Sequence, residues 1–229
     1  MSLLDAVIAA GEIPGDDAPR DVKKSYSEKL SHFLAEELAD GMRAIGFPDA
    51  KPHRGQPGEK EFHGGLGTKK VDVSYSDEQH GLIFAVSVKS ICFKPFGKNL
   101  KNRFGDLCTE AIGLHMRFPY ATVCMLFAFP DASDNDHGPR RLRSTFDRAA
   151  RLLATVSGRA NYTDAGERFE RVTLLKFQPL SPGGPPPSVT LVDAITKETI
   201  SEQDYFRHLV ELHDVRNPHA PIADTLEDS

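Results

Sequence analysis

Residues 69–90 read KKVDVSYSDEQHGLIFAVSVKS, and the alternation within them outlines two neighbouring β-strands. Val71, Val73 and Tyr75 take turns with Asp72, Ser74 and Ser76, the period-two pattern of a strand with one apolar and one polar face. After a turn at SDEQHG, Phe84, Val86 and Val88 point one way and Ala85, Ser87 and Lys89 the other. Lys89 interrupts a run in which an aliphatic residue or threonine is expected. Such a pair of strands can carry a carboxylate and an amine on one face of a sheet.

Moving outward, the residues before this stretch predict a helix over Val22 to Ile45, because Tyr26, Leu30, Phe33, Leu34, Leu38, Met42 and Ile45 recur at helical spacing. Between helix and strands lies KPHRGQPGEKEFHGGLGTKK. Its GGLGTKK segment lacks the GxxxxGK[ST] pattern of a phosphate-binding loop, and its glycines suit a hairpin. After the strands comes the basic loop FKPFGKNLKN, then a helix with Leu100, Phe104, Leu107, Ala111 and Leu114 on one face, stopped by Pro119. ATVCMLFAF reads as a buried strand, and a further helix has Leu142, Phe146, Ala149, Leu153 and Val156 on one face. RVTLLKF and SVTLVDA follow as strands, separated by QPLSPGGPPPS, a surface loop. Ser201 with Asp204 caps a last helix that ends near His213. Residues 1–20 are expected to form a flexible, loosely attached arm or small helix, 21–215 a single domain, and 216–229 a disordered tail.

The order helix, strand, strand, helix, strand, with Asp72 on one strand and Ser87, Val88 and Lys89 on the next, resembles the PD-(D/E)xK nucleases of the restriction endonuclease-like superfamily. The resemblance covers about residues 22–130. It implies an α/β fold with an αβββαβ core, a mixed central sheet flanked by helices. It also implies Mg²⁺-dependent hydrolysis of DNA phosphodiester bonds, with Mn²⁺ as a substitute ion. A setting in prokaryotic restriction or phage defence, and a homodimer or higher oligomer with a possible activating partner protein, belong to the same expectation. The chemistry needs these residue types because a carboxylate-held divalent ion neutralises developing charge and makes hydroxide accessible at neutral pH. A lysine beside it orients the water and stabilises the transition state.

Two positions depart from the family pattern. Val71 stands where the motif has proline, and Ser87 where it has an acid. The resemblance is therefore to the S-x-K branch, whose glutamate has migrated onto the following helix. On that helix, taking about 100° per residue, Glu110 falls about 60° from Leu107 and Asp106 about 100° from it. Glu110 is the preferred replacement ligand and Asp106 the alternative. Glu37 falls inside the apolar arc of the first helix, where a lone carboxylate is expensive, and is an accessory metal ligand by the same resemblance. Catalysis is thus expected from Asp72, Lys89, Ser87 and Glu110, with metal held among Asp72, Glu110, Asp106 and Glu37.

Each of these residues also has a structural reading: Asp72 pairing with Lys69 or Lys70, Lys89 as an exposed strand lysine, Glu110 pairing with Arg103 or Arg117. The net charge of −5 does not by itself suggest a nucleic-acid binder, but its distribution does. Lys89, Lys94, Lys98, Lys101 and Arg103 occur with no intervening acid, and Lys69 and Lys70 precede the aspartate strand. Lys69, Lys70, Lys94, Lys98, Lys101 and Arg103 are the expected DNA contacts. Arg140, Arg141, Arg143, Arg148 and Arg151 form a second basic run.

The remaining composition excludes more than it assigns. With 39% hydrophobic and 27% charged residues, and no apolar run near the roughly 20 residues that span a bilayer, the chain is expected to be soluble and cytoplasmic, with no secretory signal. Cys92, Cys108 and Cys124 form no CxxC pair, and the nine histidines no HExxH or HxxxH spacing, which argues against a zinc centre. The competing function is a non-catalytic DNA-binding or assembly subunit on a degenerate nuclease fold. An RNA-directed or structure-specific nuclease is a third.

Overall fold

The computed structural model describes residues 2–56, 60–137 and 142–222. Its elements are α1 (Leu3–Ala9), α2 (Arg20–Ala44), β1 (Lys60–Gly64), β2 (Gly67–Val71), β3 (Val73–Asp77), β4 (Gly81–Ser90), α3 (Phe96–Arg117), β5 (Thr122–Pro130), α4 (Thr145–Ala154), β6 (Arg171–Gln178), β7 (Ser188–Asp193), β8 (Thr199–Ile200) and α5 (Glu202–Arg216). The fold is α/β: a mixed six-stranded sheet, in the order β3-β4-β5-β6-β7-β8, with helices on both faces.

Strand alternation explains the layering. Phe84, Val86 and Val88 of β4, with Cys124, Leu126 and Ala128 of β5, face a core closed by α1, α2 and α5. Ala85 of β4, with Val123, Met125, Phe127 and Phe129 of β5, faces the opposite core under α3 and α4. β5 is buried at every position, as a central strand covered on both sides must be. Each large side chain such as Phe84 or Phe127, both fully buried, contributes about 1.5–3 kcal/mol through burial. β4 and β5 run parallel, so a crossover must join them, and α3 is that crossover.

α2 buries Tyr26, Leu30, Leu34, Leu38 and Met42, one residue per turn on the side facing the sheet. Gly41 lets α5 approach closely, since a Cβ there would lie 2.1 Å from the Phe206 ring.

Several expectations need correction. KVDVSYS is not one strand: β2 pairs with β1, β3 pairs with β4 and bridges Lys51 at Ser74, and Asp72 sits at the break between the two sheets. β1 and β2 form the hairpin suggested by GGLG, with Gly64 opposite Gly67. Leu142 lies before α4 and is almost fully exposed, because Ser144 caps the helix at its own position. β8 gave no alternation signal, being two residues long. Within the expected flexible arm, α1 is a docked helix with Leu3, Ala6 and Val7 buried. Glu202 ties its start, accepting the Ser2 hydroxyl at 3.0 Å and the Leu3 amide at 3.1 Å. Of the expected tail, the part up to Ile222 is described, and Ile222 joins the α2 core while its N–H donates to Asp214 at 2.8 Å. Residues 223–229, like Arg140 and Arg141, lie outside the described residues. No described helix is long and apolar enough to cross a membrane.

Candidate active site

The break at Asp72 is what makes the aspartate available. β3 begins pairing with β4 at Val73 opposite Val86, so the strand partner that would serve Val88 is missing. The Val88 N–H instead donates to Asp72 Oδ2 at 2.7 Å. A buried amide needs an acceptor, and meeting that need with a side chain fixes the carboxylate's direction.

Lys89 reaches the same oxygen, with Nζ 3.2 Å from Asp72 Oδ2. On its other side it lies 3.2 Å from Glu110 Oε2 of α3. Glu110 is held in turn by Ser87, whose hydroxyl donates to Oε1 at 2.6 Å. Ser87 and Lys89 share one face of β4, so a single turn of α3 meets both. Asp72, Ser87, Lys89 and Glu110 therefore form one hydrogen-bonded cluster, contributed by the β2–β3 junction, β4 and α3. The side chains of Lys89, Asp72 and Glu110 are 20%, 17% and 9% exposed, so the cluster is largely desolvated with one open side. Burial works against the Lys89 ammonium, but the charges of Asp72 and Glu110 and their hydrogen bonds outweigh it and hold its pKa above the ordinary lysine value. Lys89 is thus a fixed cation at neutral pH and not a proton acceptor.

The open side is a cleft of about 260 Å³ between β4 and α2, lined by Asp72, Val88, Lys89, Lys24, His32 and Arg103 among others. It shares Lys24, Ser27, Ser90 and Arg103 with an adjoining groove of about 540 Å³. That groove adds Arg20, Lys23, Lys94, Asn99 and Asn102, with Asp106 as its one acid among the described residues. The groove is basic because the first turns of α2 present Arg20, Lys23 and Lys24 to it, the loop before α3 presents Lys94, and α3 presents Arg103.

The structure distributes the expected residues unevenly. Asp72, Ser87, Lys89 and Glu110 come together. Asp106 is exposed and pairs with Arg103 at 3.8 Å. Glu37 is not drawn to the cluster: Arg54 takes its Oε1, which is how the apolar arc of α2 tolerates it. Arg103 lines both cleft and groove, and Lys94 lines the groove while pairing with Asp16 at 3.4 Å. Lys98 and Lys101 are exposed on α3, whereas Lys69 and Lys70 lie on the separate β1–β2 hairpin. Arg143 and Arg151 are engaged with Asp147 along α4 at 3.6 and 3.2 Å, a solvated face. Arg20, Lys23, Lys24 and His32 are the residues sequence reasoning missed. Their polar stripe on α2 was visible only as the complement of its apolar face.

A second buried ionic cluster has a different character. Glu170 Oε1 accepts from Arg159 at 2.7 Å and Arg216 at 2.8 Å, while Oε2 accepts the Val123 N–H at 2.7 Å and lies 3.5 Å from His115 Nε2. Both oxygens are taken, so the cluster is a tie between β5, the segment before β6 and α5.

The Asp72 cluster, by contrast, has capacity left. Among the described residues both donors to Asp72 meet Oδ2, which leaves Oδ1 open as a ligand. Asp72 faces the cleft, whereas Glu110 already meets Ser87 with Oε1 and Lys89 with Oε2, so Mg²⁺, which is held through one or two carboxylates completed by water and phosphate oxygens, would be held by Asp72 with Glu110 as its second ligand only by exchanging a partner. The fit is a lean one, since among the described residues no three Asp, Glu, His or Cys side chains gather as a metal-binding group. No family model matches this chain, and neither a curated protein nor a solved structure matches it significantly.

Proposed function

We propose that this chain is a metal-dependent endonuclease that hydrolyses DNA phosphodiester bonds on a restriction endonuclease-like PD-(D/E)xK core of the S-x-K type. The convergence of Asp72, Ser87, Lys89 and Glu110, with Asp72 and Lys89 lining a cleft that adjoins a basic groove, carries the reading. The run α2, β3, β4, α3, β5 supports it, with β3 antiparallel and β5 parallel to β4, although the β1–β2 hairpin stands before β3 as a separate sheet and the run has one strand more than αβββαβ.

Asp72 and Glu110 are the residues that would hold Mg²⁺ or Mn²⁺; bound there, the ion supplies charge neutralisation at phosphorus and a more acidic water. The chain's own groups supply the rest. Val88 N–H and Ser87 orient the two carboxylates. Lys89, kept protonated by them, donates to the attacking water or a non-bridging phosphate oxygen and stabilises negative charge as it builds. Arg103, Lys24 and the groove cations bind the phosphates on either side of the scissile one. A homodimer, an activating partner and a role in prokaryotic restriction or phage defence belong to this proposal.

A second reading, a non-catalytic DNA-binding or assembly subunit, is favoured by the lean acid set. One experiment separates them: supercoiled plasmid and single-stranded, duplex and branched oligonucleotides of DNA and RNA, incubated with Mg²⁺ or Mn²⁺. Cleavage by the wild type that is abolished in Asp72→Asn supports the nuclease. Intact substrates with both ions, together with no calorimetric metal binding, make the chain a binding module, and preferential RNA cleavage reassigns the substrate.

A further inference from the structure

Hydrolysis of a phosphodiester demands a proton for the leaving sugar oxygen, an alkoxide of high basicity, and the four-residue cluster has no group to give it. Lys89 is committed to two carboxylates. Asp72 and Glu110 are acceptors engaged with Lys89. The donor must lie in the same cleft, face its opening and exchange protons near neutrality.

Among the described residues lining that cleft, the titratable groups are Lys24, Glu28, His32, Asp72, Lys89 and Arg103. Of these side-chain types, imidazole is the one used most often as a general acid or base. His32 lies on the α2 wall, with a half-exposed side chain. Its Nε2 is 3.4 Å from Glu36 Oε1. The Glu36 side chain is only 7% exposed, and the same oxygen accepts the Gly55 N–H at 3.1 Å, so the carboxylate is anchored by backbone rather than free to swing. The ring also packs against Phe33 at a centroid distance of 5.6 Å. A buried carboxylate behind an imidazole that faces an open cleft is the base-and-orienter arrangement of acid–base enzymes. Glu28, the other acid on this wall, is exposed and 3.4 Å from Lys24, a solvated pair.

We propose that His32, oriented by Glu36, is the general acid that protonates the leaving oxygen. The inference rests on the nuclease reading above. In the step, the water oxygen forms a new bond to phosphorus and the bond to the leaving sugar oxygen breaks. The imidazolium proton ends on that oxygen, and the proton released by the attacking water returns through solvent to the ring. Glu36 is the charged group in contact with the ring, and the charged groups that line the same cleft are Lys24 and Glu28 on its own helix, Asp72 from the strand junction, Lys89 from β4 and Arg103 from α3.

The test compares two substrates in wild type, His32→Ala and His32→Asn, all with Mn²⁺. A duplex oligonucleotide has a poor leaving group that needs the proton. Thymidine 5′-(p-nitrophenyl phosphate) releases nitrophenolate, which leaves unprotonated. Both variants are expected to lose about 10²–10⁴-fold in kcat on the oligonucleotide while retaining wild-type turnover of the nitrophenyl ester. The fall of kcat with rising pH, which reports loss of the acid's proton, is expected to vanish with the histidine. Equal losses on both substrates, or an alkaline limb that survives in both variants, overturns the role of His32. Asp72→Asn separates the two levels. If it cleaves normally, or if the wild type cleaves neither substrate, the nuclease reading itself falls and the general acid with it. If Asp72→Asn is inactive while both histidine variants keep full oligonucleotide activity, only the general acid falls.

Discussion

Replacing Lys89 by methionine should cost the metal-free protein about 2–4 kcal/mol at neutral pH. The ammonium lies 3.2 Å from one oxygen of Asp72 and 3.2 Å from one of Glu110. At an effective dielectric constant of ~20, each contact is worth about 5 kcal/mol of Coulomb attraction, most of it offset by the desolvation of the three groups and the mutual repulsion of the carboxylates. Breaking a fully buried pair costs about 3–5 kcal/mol, and side-chain exposures of 20%, 17% and 9% place this cluster somewhat below that. For a chain of this size the loss corresponds to roughly 4–16 °C in Tm. Methionine keeps the length of the aliphatic stem, so the deficit is electrostatic and must depend on pH. It should shrink in Lys89→Met/Glu110→Gln, which removes one of the two stranded charges. The alkaline side has its own signature. The folded-state pKa of Lys89 lies above the ordinary value of 10.5, so its contribution is complete below that value and is lost as pH rises through the folded one. Methionine removes that alkaline dependence. Urea denaturation from pH 4 to 11 with EDTA present reads all of this. A variant as stable as the wild type at pH 7, or a deficit independent of pH, refutes the view of Lys89 as the cation joining two desolvated carboxylates.

Other consequences follow from the same structure. Lys23→Glu combined with Lys24→Glu should weaken DNA binding by Asp72→Asn protein without altering its sequence preference, and should reduce the slope of log K against log salt by about 2, as read by fluorescence anisotropy; an unchanged slope removes the groove from the interface. Glu170→Gln should lose about 3–5 kcal/mol, since it strands Arg159 and Arg216. Burial pushes the Glu170 carboxyl up, but His115, the Val123 amide and Arg159 outweigh it and hold it below its ordinary value of 4.5. Its stabilisation is therefore complete above that value and lost as pH falls through the folded one, so the variant should show a weaker acid dependence of its urea midpoint. Gly41→Ala should destabilise by about 1–3 kcal/mol in thermal melts despite alanine's better helix propensity, because its methyl would meet the Phe206 ring at 2.1 Å; a neutral result would mean that α5 can move away from α2.

Much of the scaffold is legible locally. Phe84, Val86 and Val88 face one core and Ala85 the other as their alternation requires, and the five apolar turns of α2 lie against the sheet. The proximity of Ser87, Lys89 and Glu110 follows from the period of β4 and the apolar arc of α3, with Glu110 near Leu107. What escaped was every feature set by an alternative pairing partner. The run around Asp72 has an unbroken period of two, yet it is split because β2 pairs with β1 and β3 with β4, and alternation carries no information about which strand lies alongside. Glu37 was placed correctly on its helix, but its partner Arg54 comes from a loop with no periodic signal. The docking of α1 depends on Glu202, 199 residues from the Leu3 amide it accepts.

The amino-acid order by itself determined the elements and the faces they bury, because periodicity of 2 or 3.6 residues is a local property of backbone geometry and solvent exclusion. It also placed an aspartate, a lysine and a glutamate where one sheet edge can collect them. Only the tertiary structure decided that Asp72 would cap the Val88 amide, that Glu110 rather than Asp106 or Glu37 would close the cluster, and that α2 would bring His32 and its cations to the cleft. Those outcomes are competitions among distant groups for the same few buried hydrogen bonds and charges, and such competitions are resolved only when the whole chain has packed.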